Sequence, residues 1–391
     1  MMAATTYLET KPRYEILDGL RGVAAMVVVA FHLFETYSKG PQYQILNHGY
    51  LAVDFFFVLS GFVIGYAYDD RWCKMSTWGF FKRRLTRLHP MVIMGGLIGV
   101  ISFYFGNSNA FPLVAATPWW KVLIMFLLGC TMIPAGPSLD IRGWRETYPL
   151  NGPQWSLMLE YVANILYAFV FRRLGKIALG VCVALAACMT IDVGMNLNLT
   201  GLFTHTGSPY TFIGGWGIHG KQLYIAVARL FYPFLCGLLI SRIGKFIKVR
   251  GGFWWCSLLV FAALVMPRVG GADPGHFWMN GVYETLCILV LFPLIVSMGA
   301  GSKVTDDKSM AVCKFLGNIS FPLYITHFPL VYMQIAWASN HSDAPVSQHI
   351  MVSVGIYVLA LFLAYALLKL YDEPVRNWLK EHWLKRSRKV A

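Results

Sequence analysis

Charged residues are scarce in this sequence. Asp, Glu, Lys and Arg make up 13% of its 391 residues, against about 25% in an ordinary soluble chain. Acidic groups are the scarcer sign, 19 against 33 Lys and Arg. A soluble globular enzyme is thereby set aside. None of the eight cysteines forms a C-x-x-C pair, and most lie in apolar runs, which excludes a disulfide framework or a zinc ribbon. The first apolar run lacks an A-x-A exit and carries Asp18, Arg21 and His32, so it is expected to be a retained helix and not a cleaved signal. There is no internal repeat. "GWGIHG" at 215–220 fits G-x-G-x-x-G but follows no strand, so it is no dinucleotide site.

Hydrophobicity takes the place of charge. Apolar residues make up 57% of the chain and the mean hydropathy is +0.54. Runs of about twenty residues, enough to cross a bilayer as helix, fall at 16–37, 47–68, 88–106, 153–172, 175–193, 222–241, 253–268, 282–299, 313–338 and 347–371. The expected fold is therefore all-α, a polytopic transmembrane bundle of these ten helices. It consists of an N-terminal segment 1–15, a membrane domain 16–371 and a basic tail 372–391, with no soluble domain appended.

The net charge of +14 sits between the apolar runs, in "KRRLTRLH", "RRLGK", "RIGKFIKVR" and the tail. That distribution suits cytoplasmic loops and not nucleic acid. If 119–133 is re-entrant or lies at the surface, all these loops and both termini fall on the cytoplasmic side, at the cost of placing Arg142 and Arg145 outside. The predicted external segments 107–152, 194–221 and 269–281 are rich in Gly, Pro, Asn and aromatics. They suit either sugar binding or interfacial anchoring.

Ionisable groups at membrane depth are costly and usually face a cavity or a partner. Arg21 and His32, eleven residues apart, share a helix face with about 16 Å between them along the axis. They cannot touch, but they can line one channel, and a histidine suits general-base work. The plainer readings are a packed histidine and a snorkelling arginine. Arg84 and Arg87, three apart in "KRRLTRLHP", form two guanidinium forks on one face that suit phosphate, or else an ordinary loop cluster. Pro90 is expected to open or kink the helix that follows. Ser156 and Glu160 in "PQWSLMLEY" share a face. Glu160 would orient a base, bind an acceptor hydroxyl or pair with an arginine. Tyr324 and His327 lie between Pro322 and Pro329, where prolines free backbone groups near a cavity. Ser60 and Gly61 in "DFFFVLSGF" permit close helix contact.

Together, in this order, "DGLRG" at 18–22, His32, "DFFFVLSGF" at 54–62, "RLTRLHP" at 84–90, "WSLMLE" at 155–160, "ISFPLYITHFPL" at 319–330 and "DEP" at 372–374 resemble the membrane-bound acyltransferase family 3. These are integral-membrane enzymes that O-acylate cell-surface glycans. The resemblance covers essentially the whole chain. It implies a ten-helix bundle with a central pore in a bacterial inner membrane. It implies an acyl-coenzyme A donor, commonly acetyl-CoA, arriving from the cytoplasm, and no metal. The acceptor would be a sugar hydroxyl of a lipid-linked or polymeric glycan. His32 matches the family's catalytic histidine, Arg21 its paired arginine, and Arg84 and Arg87 the donor-engaging arginines. Glu160 joins the catalytic candidates; Trp155, Ser156, Tyr324 and His327 are the candidates for the acceptor.

Some relatives carry a fused extracytoplasmic hydrolase-like domain. This chain shows none, so transfer is direct or uses a separate extracytoplasmic protein. His32 as base and a covalent acyl-enzyme both remain open. A transporter of glycan or anionic solute would also need pore-lining Arg, His and Glu, but it predicts inverted repeats that are not seen. An acyltransferase of a small molecule differs only in acceptor.

Overall fold

The computed structural model describes residues 11–201 and 209–384. The first ten residues, 202–208 of the expected external segment and the last seven of the tail lie outside the described residues. The helices are α1 Glu15–Glu35, α2 Ala52–Tyr68, α3 Thr77–Phe103, α4 Trp119–Thr131, α5 Gln154–Phe169, α6 Lys176–Gly194 and α7 Gly220–Ile243. They continue with α8 Gly252–Val265, α9 Phe277–Leu286, α10 Phe292–Gly301, α11 Asp307–Asn340, α12 Val346–Leu367 and α13 Glu373–Leu379. π-helical turns at Cys287–Leu291 and Leu368–Asp372 join α9 to α10 and α12 to α13. The fold is all-helical, and helix occupies every expected apolar segment. Among the described residues, seven helical stretches are long and apolar enough to cross a membrane, while α4 and α8 are shorter apolar helices.

The basic run was expected to precede its helix, but α3 begins at Thr77 and passes through Pro90. Ser76 accepts the Gly79 N–H at 3.0 Å, a side-chain cap that starts the helix early. The basic connections gather at one end of the bundle. Lys11 pairs with Asp70 at 2.8 Å. Arg242 pairs with Asp69 at 2.7 Å and donates to the carbonyls of Phe171 and Leu174. Helices α3 and α5 run antiparallel, with Phe81 against Phe169 near the basic end and Gly99 against Leu150 near the other. Residues 104–153 therefore leave and return at the same end, and α4 adds no net crossing.

Two close helix pairs fix the frame. A Cβ on Gly22 would lie 2.4 Å from the Leu316 carbonyl oxygen, so α1 and α11 pack backbone to backbone. A Cβ on Gly61 would lie 1.9 Å from the Phe234 oxygen, which locks α2 on α7.

Prolines inside helices free carbonyls four residues back, and lipid offers no donor. Other segments supply them. Pro329 frees the Ile325 carbonyl, which accepts from Asn151 Nδ2 at 2.8 Å. Pro293 frees that of Leu289, which accepts from the Tyr232 hydroxyl at 2.6 Å. Asn151→Ala is expected to cost about 1–3 kcal/mol, the value of a buried acceptor left unpaired. Thermal unfolding in nanodiscs checks this, and an unchanged midpoint would show that water replaces the amide.

Candidate functional site

Helix α1 carries a different cluster at each end. Near its N-terminus, Arg21 Nη1 donates to Asp18 at 3.3 Å. Arg84 is buried and pairs with Glu160, which also accepts the Ser60 hydroxyl at 3.2 Å. Arg87 lies beside Arg21 and Arg84, with Asp18 and Tyr68 facing it. Arg87 is exposed, whereas Arg84 one turn before it is buried. Three guanidinia thus converge from α1 and α3. Glu160 stands among them as an arginine partner.

Near the C-terminal end of α1, His32 Nδ1 lies 2.7 Å from Glu35 Oε2. In the neutral ring that donates its Nδ1 proton to this carboxylate, Nε2 carries the lone pair. The His32 ring stacks on His327 of α11, with centroids 5.6 Å apart and planes 26° apart. His327 Nδ1 donates to the carbonyls of Tyr324 at 2.8 Å and Leu323 at 3.2 Å. Carbonyls only accept, so this ring is also held as the Nε2 base tautomer. Its Nε2 is buried with no hydrogen-bond partner in the structure. Two imidazoles are therefore presented side by side, each oriented through Nδ1.

Ser156 donates to the Pro153 carbonyl at 2.9 Å and lies 2.7 Å from the Tyr324 hydroxyl, one turn of α11 before His327. Trp155 is buried under the Arg229 guanidinium, 5.3 Å from its ring centre, and against Gly215.

The 104–153 loop covers this end. Arg142 is fully buried among the rings of Phe103, Phe111 and Tyr332, and donates to the Pro149 carbonyl at 2.6 Å. The arginine that the topology places outside is thus enclosed by aromatic faces. Glu146 accepts the Tyr332 hydroxyl at 2.6 Å, and burial pushes its carboxyl up to about 7 against the opposing pull of Tyr332 and Arg142. Phe328 spans from this loop to the histidines, with its ring 4.7 Å from Tyr332 and 4.8 Å from His32.

The structure thus brings together Arg21, Arg84, Arg87 and Glu160 at one end, and His32 with His327 at the other. Ser156 and Tyr324 pair with each other. Glu35 and Asp18 were not singled out from the sequence. The signal for Glu35 was present as "HLFE", a His and a Glu three apart on one helix. Among the described residues, no group of three His, Cys, Asp or Glu could hold a metal ion.

Comparison with known proteins identifies the family. The family described as "Acyltransferase domain" matches residues 14–369. Acyltransferase MdmB of Streptomyces mycarofaciens is 27% identical over 82% of this chain and 79% of its own length. Peptidoglycan O-acetyltransferase OatA of Listeria monocytogenes is 36% identical over 81% of this chain and 49% of its own. O-acetyltransferase OatA of Staphylococcus aureus is 38% identical over 82% of this chain and 51% of its own. The chain spans about half the length of these OatA relatives. No solved structure matches. With its apolar helices, its motif order and a match across nearly its whole length, the chain belongs to this family of integral-membrane acyltransferases.

Proposed function

We propose that the protein moves an acyl group, acetyl in the first instance, from acyl-coenzyme A to a hydroxyl of an extracytoplasmic glycan, such as a lipopolysaccharide or an exopolysaccharide. The observation that carries this reading is the pair of unlike clusters on α1, guanidinia at one end and oriented imidazoles at the other. Coenzyme A is anionic at its phosphates and reactive at the far end of a long, thin arm. Arg21 and Arg84 each face a carboxylate, and exposed Arg87 adds a third fork for phosphate. The arm spans the about 16 Å of helix to the histidines. O-Acetyl transfer is taken from the OatA relatives by their names.

In the proposed step, His32 Nε2 takes the proton of the acceptor hydroxyl while Glu35 holds the imidazole from behind. The hydroxyl oxygen attacks the thioester carbonyl carbon. The carbon–sulfur bond breaks, the ester forms, and coenzyme A leaves as its thiol with that proton. The basic end faces the cytoplasm with both termini, and the histidine end faces the outside of a bacterial inner membrane. Transfer is direct, or passes to a separate extracytoplasmic transferase.

Arg87→Ala tests the donor half. Binding of acetyl-CoA to the protein in nanodiscs is expected to weaken about 10- to 100-fold, the value of a charge-assisted contact, with the melting temperature unchanged. An unaltered affinity would remove Arg87 from the donor site.

A further inference from the structure

We propose that a cavity one helical turn beyond His32 is the acceptor subsite and takes a neutral sugar ring. The inference rests on the acyltransferase reading and gives its acceptor a place. The cavity measures about 340 Å³ and opens between the C-terminal ends of α1 and α11 and the start of α12. This is the lower end of the range of about 300–1,000 Å³ seen for small-molecule sites. Thr36, Tyr37, Ser339, Ser342 and His349 supply its polar wall, and Ile335 and Ala338 an apolar one. No Asp, Glu, Lys or Arg lines it. The contrast is with the cavity of about 430 Å³ at the basic end, lined by Lys11, Asp69, Asp70, Arg172 and Arg242. An ionic ligand finds counter-charges there and none here.

Hydroxyls and imidazole both donate and accept, as sugar hydroxyls do. The apolar wall and the exposed Tyr37 ring offer a surface for the C–H face of a pyranose. The wall is organised before any ligand arrives. Buried Gln334 donates to Ser353 at 2.8 Å and to the Tyr37 hydroxyl at 3.4 Å, and Ser353 donates to the His349 carbonyl at 2.7 Å. Those bonds fix the His349 backbone and leave its Nδ1 buried with no partner. Thr36 follows His32 by four residues, about 6 Å along the axis, and donates to the His32 carbonyl at 3.2 Å. A ring seated here lies about one helical turn from the proposed base.

The test uses the full chain in lipid nanodiscs, free of alkyl-glycoside detergent that would itself fill the cavity. The probes are methyl β-glucopyranoside and its 2-acetamido analogue, read by saturation-transfer NMR. Saturation transfer is expected with the native chain. Ala338→Phe, which fills the cavity, is expected to abolish it, and His349→Phe to weaken binding roughly tenfold, the worth of one or two hydrogen bonds. Acetyl-CoA binding and the melting temperature should hold in both. If Ala338→Phe does not fold, His349→Phe and Ser342→Val decide. No transfer to the native chain, or equal signals from native and variant proteins, would overturn the subsite. Sugar binding that is lost in the variants while no acyl transfer is ever found would leave the subsite standing and fail the enzymatic reading.

Discussion

Replacing His32 with Ala is expected to leave a membrane-inserted protein whose acyl transfer is about 10²- to 10⁴-fold slower, the usual contribution of a positioned general base. The proposed step gives His32 this role, and the geometry makes the prediction specific. Its Nδ1 is engaged by Glu35 at 2.7 Å, so only Nε2 is free to take a proton. Glu35→Gln keeps the shape but replaces the carboxylate behind the ring, and should fall between native and His32→Ala. His327 offers the control. Its Nδ1 is held by backbone carbonyls, so it is also a base tautomer, stacked 5.6 Å away. If His32→Ala keeps the native rate of acetyl transfer and His327→Ala does not, the two roles are reversed. If both keep it, the pair is not the reaction centre.

The largest effect on stability is expected at the buried pair of Asp54 and Arg229. Both side chains are almost wholly buried, with Arg229 Nη2 2.7 Å from Asp54 Oδ2. Arg229 also donates to the carbonyls of Gly214 at 3.0 Å and Tyr50 at 2.6 Å. One cation thus ties α2, α7 and the segment before α7 together, over Trp155. Asp54→Leu leaves a buried guanidinium without its counter-charge, a loss of about 3–5 kcal/mol. The double variant Asp54→Leu, Arg229→Met removes the stranded charge. It should be clearly less destabilised than the sum of the two single changes. Chemical unfolding in mixed micelles measures this. Strict additivity would show that the two groups are solvated separately.

Periodicity and span length placed the helices, because lipid requires nearly every backbone group to be paired within its own segment. The shared faces of Arg21 with His32 and of Arg84 with Arg87 follow from 3.6 residues per turn. The early start of α3 was hidden because a run of Lys and Arg resembles a loop, while the Ser76 cap that starts the helix is a single residue. Contacts between distant helices were less legible. Glu160 against Arg84 was one of three readings, and only the packing of α5 on α3 selects it. His32 on His327, the Asn151 bond to Ile325 and the enclosure of Arg142 join residues whose spacing in sequence carries no signal. Trp155 shows the converse. It stands in a motif, yet the structure buries it beneath Arg229.

The stacked histidines come from the first helix and from α11, 295 residues later. The Asn151 amide that supports the proline-containing stretch of α11 comes from between them. During synthesis at about 5–20 residues per second, His32 is in the membrane well before His327 has been made. The histidine pair therefore closes late, after α2 and α7 have been made. A nascent or shortened chain that stops before α11 can hold the arginine cluster of α1 and α3 without the second imidazole. The two clusters that α1 joins are thus completed at different times in synthesis as well as at different ends of the helix.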